Sequence, residues 1–227
     1  MQDENLSTAS IKQTYQLINR LYNWATEMDM YEGPNPCKKV KVKQPDNQVN
    51  TFLSTKEIKR MTEVCNNWPN QRTAQLFMFI LHTGMRVQEA THLRWQDVDF
   101  KRQFVTITKN KDQKQARYLP ISNEAVAILR KVEPNAKGEY VFSTHTGDRM
   151  HYPTKTWKRI KAEADLPNYR IHDLRHTFAS HLASQGVSLY HIQKLLGHTT
   201  PIMTQRYAHL TDESLKGAVQ NFDYGES

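Results

Sequence analysis

The chain has 227 residues, enough for one generous domain or one domain plus part of another, but not for two of full size. With 31 Lys and Arg against 23 Asp and Glu it carries +8, which suits a polyanionic partner, and its 38% hydrophobic content supplies a core and excludes global disorder. Cys37 and Cys65 form no CxxC pair, the longest apolar run (Leu76 to Leu81) is far short of a bilayer span, and the acidic Asp3-Glu4 start is unlike a signal peptide; a reduced, soluble, cytoplasmic protein without a membrane partner is expected.

In chain order, Ile11, Leu17, Ile18, Leu21, Tyr22, Trp24 and Ala25 recur at helical spacing, and Gly33, Pro34 and Pro36 end that helix. Residues 33–50 hold three prolines and the lysines Lys38, Lys39, Lys41 and Lys43 without periodicity, so they read as a basic linker. A domain boundary is expected near Gln48, dividing residues 1–47 from 48–227. Those lysines fit a solvated tether or a DNA phosphate contact, and their place ahead of the motifs below favours DNA.

Ser54 and Glu57 form a capping box that opens a helix to about Asn66. The next helix, about Thr73 to Thr83, is apolar on every face through Leu76-Phe77-Met78-Phe79-Ile80-Leu81; it should be the buried centre of the domain, stopped by Gly84. A short helix from Val87 to Leu93 precedes strands at Phe104–Thr108 and Arg117–Ile121, joined by a polar turn. A helix at Asn123–Val132 and a short strand at Tyr140–Ser143 follow. The remainder reads as helices near Thr154–Ala164, Asp173–Ser184, Leu189–Leu196, Ile202–Ala208 and Asp212–Asn221, giving a mostly helical α+β domain with a small antiparallel β-sheet.

Four segments carry chemistry. In HTGMRVQEA, Arg86 emerges two residues past the helix-stopping glycine, and Glu89 can hold it while its fork faces a phosphate; alone, such a pair is more often an ordinary surface pair. In HDLRH, His172 and Arg175 share the first turn of a helix and can aim at one anion, helped by the helix N-terminus. His172 and His176 with Asp173 between them also imitate the HExxH zinc helix, but a cation beside the second ligand and no identifiable third ligand rank metal below phosphate. In LLGHTTPIMTQRYAHL, Gly197 ends one helix, Thr200 and Pro201 start the next, and nine residues separate His198 from Tyr207. The hairpin gathers Lys101, Arg102, Lys109, Lys111, Lys114 and Arg117 against Asp112 alone; such a tip is most often solvated and also fits a nucleic-acid contact, in which one lysine could protonate a leaving alkoxide.

Taken in order and spacing, HTGMRVQEA, TKNKDQKQARYLPIS, IHDLRHTFASHLASQG and LLGHTTPIMTQRYAHL resemble the tyrosine recombinases, or phage-type integrases, from about Phe52 to the C-terminus. The resemblance implies that Arg86 and Arg175 grip the scissile phosphate, Glu89 supports Arg86, His172 is the acid/base histidine, His198 hydrogen-bonds the phosphate, and Tyr207 forms a 3′-phosphotyrosine. It assigns the general-acid lysine to Lys111, with Lys109 and Lys114 as alternatives; from charge and position, Lys38, Lys39, Lys41, Lys43, Lys109, Lys114 and Arg117 are expected to contact DNA. It also implies site-specific DNA breakage and rejoining without metal, ATP or other cofactor, double-stranded DNA as partner, a homotetramer on DNA, and a nucleoid location in a bacterium or phage. Residues 1–47 resemble only the end of a core-binding domain, so a natural or engineered truncation is expected. The stripe Leu215, Ala218, Val219 and Phe222 fits a terminal helix that docks locally or passes to a neighbouring subunit. Competing readings are a type IB topoisomerase, a non-catalytic DNA-binding module built on residues 188–208, and a zinc hydrolase built on HDLRH.

Overall fold

A computed structural model describes residues 6–43, 51–108, 116–133 and 138–211, which fall in two compact units, Met1–Gln48 and Val49–Ser227. In the first, helix α1 (Thr8–Glu27) is capped by Ser7, whose hydroxyl accepts from the Ser10 N–H at 3.1 Å. None of its residues is buried, and Leu17, Leu21 and Trp24 lie exposed. The described part of the segment read as a linker contains a 3₁₀ turn, Pro36–Lys39, because the Asn35 side chain accepts from the Cys37 N–H at 2.9 Å and its amide donates to Asn23 at 2.7 Å. Lys38, Lys39, Lys41 and Lys43 are exposed.

The second unit is built on α2 (Thr55–Asn66), α3 (Gln71–Thr83), α4 (Val87–His92), α5 (Asn123–Val132), α6 (Thr154–Glu163), α7 (Ile171–Ser184), α8 (Leu189–Leu196) and α9 (Ile202–Gln205). The capping box of α2 forms as expected, with Glu57 accepting from the Ser54 N–H at 2.8 Å. Helix α3 begins two residues earlier than expected because Asn70 caps it by accepting from Thr73 N–H. Thr73 through Leu81 are buried, and α3 packs against α2, α5 and α7 as the central helix. Phe77 meets Trp157 at 5.0 Å between ring centroids and Phe79 meets Phe142 at 5.3 Å; burying each phenyl contributes about 1.5–3 kcal/mol, which fixes the axis whose end carries the site.

Strands β1 (Val98–Asp99), β2 (Phe104–Ile107) and β3 (Arg117–Pro120) form an antiparallel sheet in that order, with Val105 opposite Leu119 and Ile107 opposite Arg117. The expected strand at Tyr140–Ser143 is absent and β1 takes the place beside β2. Residues 140–143 make only isolated bridges to Arg94 and Arg149, because Val141 N–H is drawn to the Leu93 carbonyl at 2.9 Å and a turn follows at Gly147. Helix α7 starts at Ile171, two residues before the expected Asp173, since the Asp173 carboxylate accepts from Arg170 N–H at 2.7 Å and closes the first turn around His172. Helix α9 ends at Gln205, short of the expected Ala208. The chain tightens there, with Tyr207 N–H on the Thr204 carbonyl and a 3₁₀ turn at Ala208–Leu210. The terminal helix expected at Asp212–Asn221 lies outside the described residues, and no described helix is long and apolar enough to cross a membrane.

Candidate active site

The site begins where α3 stops. Gly84 takes the left-handed conformation (φ 64°), and a Cβ there would stand 2.4 Å from Cδ1 of Phe178, so only glycine lets the chain turn against α7. Two residues on, Arg86 sits at the start of α4 and Glu89 closes its first turn: one carboxylate oxygen accepts from the Arg86 N–H at 2.8 Å and the other from its Nη1 at 2.9 Å. The sequence pair is thus a single locked unit, with the rest of the half-exposed Arg86 fork facing outward.

Arg175 reaches the same place from the middle of α7. Its guanidinium, 3% exposed, donates to the Gly84 carbonyl and to the Leu196 carbonyl, both at 2.7 Å, and lies 4.0 Å from Glu89. It therefore terminates two helices at once, supplying donors to the carbonyl ends of α3 and α8 where the helix dipoles are negative. Burial, then the neighbouring Arg86, lowers its pKa to about 10, with Glu89 opposing; it stays cationic at neutral pH. Arg117 is the third guanidinium on Glu89, donating from Nη2 at 3.1 Å and from Nη1 to the Leu195 carbonyl. Expected among the DNA contacts, it has a side chain that is 15% exposed and bonded to Glu89 and the end of α8.

His198 follows Gly197, the left-handed cap of α8 (φ 64°), and its Nδ1 shares a 2.8 Å hydrogen bond with Thr204 of α9. Burial, with Arg175 and Arg86 nearby, pushes its pKa down to about 4, so the ring is neutral at pH 7. His172 is exposed on the first turn of α7; desolvation of its ring in the cleft and then Arg175 lower its pKa. Tyr207 is 1% exposed, and its hydroxyl shares a 2.7 Å hydrogen bond with Nδ1 of His176. Burial raises the phenol to about 12, which keeps it protonated until something accepts its proton. His176 stands edge-on to His172 at 4.7 Å between ring centroids, and burial then the His172 charge lower it to about 4.

The structure thus brings together Arg86, Glu89, Arg175, His198 and their neighbour Arg117, with His172, His176 and Tyr207 on the adjoining turns of α7 and the segment after α9. Two guanidiniums fit the oxygens of a tetrahedral anion, neutral imidazoles can take or return a proton, and a phenol can act as nucleophile. In HDLRH, the Asp173 carboxylate is held by Arg170, and Nδ1 of His176 bonds to Tyr207. Among the described residues no three His, Cys, Asp or Glu side chains are grouped to hold a metal ion. Lys109, Lys111 and Lys114 lie outside the described residues. Sequence reasoning missed His176 and Thr204 as partners of Tyr207 and His198, which no local spacing announces. Arg117 had a signal. Two residues from the buried Leu119 on one strand, it must share the core-facing side, where a charge needs a partner.

The phage integrase family profile matches residues 51–214. A putative integrase of Pseudomonas phage Pf1 is 30% identical over 212 residues, covering 93% of this chain; the chain spans 60% of that protein's length. The solved catalytic domain of bacteriophage HP1 integrase is 30% identical with a TM-score of 0.58, covering 75% of this chain and 94% of that one. The integrase of transposon Tn1549, solved in complex with a circular intermediate DNA, has the same fold at 20% identity, with a TM-score of 0.81 over 98% of this chain and 82% of its own.

Proposed function

Because the chain belongs to the phage integrase family, we propose that it breaks and rejoins DNA strands at specific sites through a covalent phosphotyrosine. The observation that carries this is Glu89 joined to Arg86 and close to Arg175, with His198 and Tyr207 brought in by the turns that follow α8 and α9. Arg86 and Arg175 neutralise the non-bridging oxygens, and His198 adds a hydrogen bond to the phosphate. The Tyr207 oxygen attacks phosphorus, its proton passing to His172. The bond from phosphorus to the 5′-oxygen breaks, and that oxygen leaves with its electron pair and is protonated by Lys111. One phosphoester replaces another of similar energy, so a second strand's 5′-hydroxyl can reverse the step without ATP. Before attack, Tyr207, only 1% exposed, must give up its bond to His176 and open toward the phosphate.

In the same reading the first unit is the end of a core-binding domain, Lys38, Lys39, Lys41 and Lys43 contact DNA phosphates, and four protomers assemble on two DNA sites. Nicked duplexes built from repeats in the DNA flanking the gene test it. The wild-type protein should leave a denaturant-resistant adduct whose modified peptide contains Tyr207, and Tyr207→Phe should bind the duplex but form none. An adduct with the Phe variant would remove Tyr207 from the role.

A further inference from the structure

Resting on that reading of the site, we infer that Arg117 is a positioning residue for the reaction: it ties the hairpin strand to Glu89 and to the end of the helix that delivers His198. Both of its terminal nitrogens are committed, Nη2 to the Glu89 oxygen that also accepts the Arg86 backbone N–H, and Nη1 to the Leu195 carbonyl. Its side chain is 15% exposed and runs along the core-facing side of β3 with the buried Leu119. Two of its N–H groups are thus spent inside the fold.

Its contact with α8 is tight. A Cβ on Gly197 would stand 2.7 Å from Nε of Arg117, so the glycine that turns the chain into His198 also makes room for this side chain. Arg175 holds the next carbonyl, that of Leu196. Two guanidiniums therefore fix the last turn of α8 immediately before His198, and one of them reaches it from the β-sheet. Losing Arg117 takes one of two donors from the Glu89 oxygen that also accepts the Arg86 N–H, which loosens the set of Arg86, and leaves the Leu195 carbonyl to find another donor. The disturbance reaches the phosphate-holding groups on two elements although Arg117 touches no substrate.

Single-turnover cleavage of the nicked duplex at saturating DNA separates this role from a DNA contact. Arg117→Ala should slow cleavage about 10- to 100-fold, the scale of a misplaced reacting group. DNA affinity and its salt dependence should stay at the wild-type level. Arg117→Lys, able to keep the Glu89 pair but not the fork, should fall between, and it carries the comparison if the Ala variant does not fold. Combining Arg117→Ala with Glu89→Gln should cost little more than Glu89→Gln alone, because the two act as a unit. Weakened binding with the slope of log K against log salt lowered by about 0.9, and an unchanged rate at saturation, would make Arg117 a phosphate contact and overturn the inference. Should the wild-type protein form no adduct, the recombinase reading fails instead. The inference is then read from the His198 ring signals in proton–nitrogen NMR, which should shift in Arg117→Lys and which, if unmoved, overturn it.

Discussion

Lowering the pH should weaken the fold through His176, and the size of the effect follows from its surroundings. The ring is 8% exposed, bonded to a phenol that is itself buried, and its pKa is depressed from 6.5 to about 4. Above pH 6.5 the ring is neutral in both folded and unfolded chains and contributes no pH dependence. Between 6.5 and about 4 the unfolded chain takes up a proton that the folded one refuses, so stability falls with falling pH, and the loss is complete once the folded ring also protonates. At about 1.4 kcal/mol per pH unit the full loss is of order 3 kcal/mol, a large part of the 5–15 kcal/mol typical of a domain. His198 should add to it in the same window, by less, because it is partly open to water. The assay is urea unfolding of the wild-type protein and of His176→Asn, whose amide oxygen replaces Nδ1 as a partner for Tyr207 but cannot titrate. The variant should show a shallower fall between pH 6 and 4.5, by about one proton's worth. Parallel curves for the two proteins would refute the placement of a neutral, buried His176 against Tyr207.

Three further outcomes follow from the same geometry. Arg175→Ala removes the donors of two helix-end carbonyls as well as the phosphate ligand of the proposed reaction, so it should cost about 3 kcal/mol or more in unfolding experiments and abolish the adduct. Gly84→Ala forces a positive φ on alanine and presses a methyl into Phe178, and denaturation should show a loss of about 2–3 kcal/mol. Lys111→Ala should slow cleavage by about 10²- to 10⁴-fold, and a 5′-bridging sulfur, a leaving group that needs no proton, should restore it; the same rescue in Lys109→Ala would move the role to that lysine.

The helices were legible wherever a cap or a glycine fixed their ends. Ser54 with Glu57, Gly84 and Gly197 each act within four residues, so the sequence carries the whole signal. The strand expected at Tyr140–Ser143 failed because its backbone is shared between Leu93, distant in sequence and accepting from Val141 N–H, and Met150 just beyond it, donating to the Phe142 carbonyl, a competition that apolar patterning does not record. Within the site, the Arg86–Glu89 pair was local and readable. The bond between His176 and Tyr207 spans 31 residues, and that between Arg117 and Leu195 spans 78, so neither exists until the chain has packed. Tyr207 is the clearest case. Its chemical type and its spacing from His198 mark it out, yet its buried position comes where α9 has ended at Gln205 and a 3₁₀ turn begins at Ala208.

Arg175 joins the ends of α3 and α8, and this has a consequence for how copies of the gene decay. A protein that keeps its shape while losing its chemistry can still occupy DNA and obstruct intact copies made alongside it. Here a mutation that removes Arg175 also takes the fastening from two helices, so the damaged chain is expected to unfold and be degraded before it can compete. In the proposed reaction, loss at Tyr207 is different in kind: phenylalanine keeps the ring in its packing, and the product should be a folded protein able to bind DNA and unable to cut it. Inactive copies that interfere with active ones should therefore arise by changes at the nucleophile, and seldom by changes at the buried arginine.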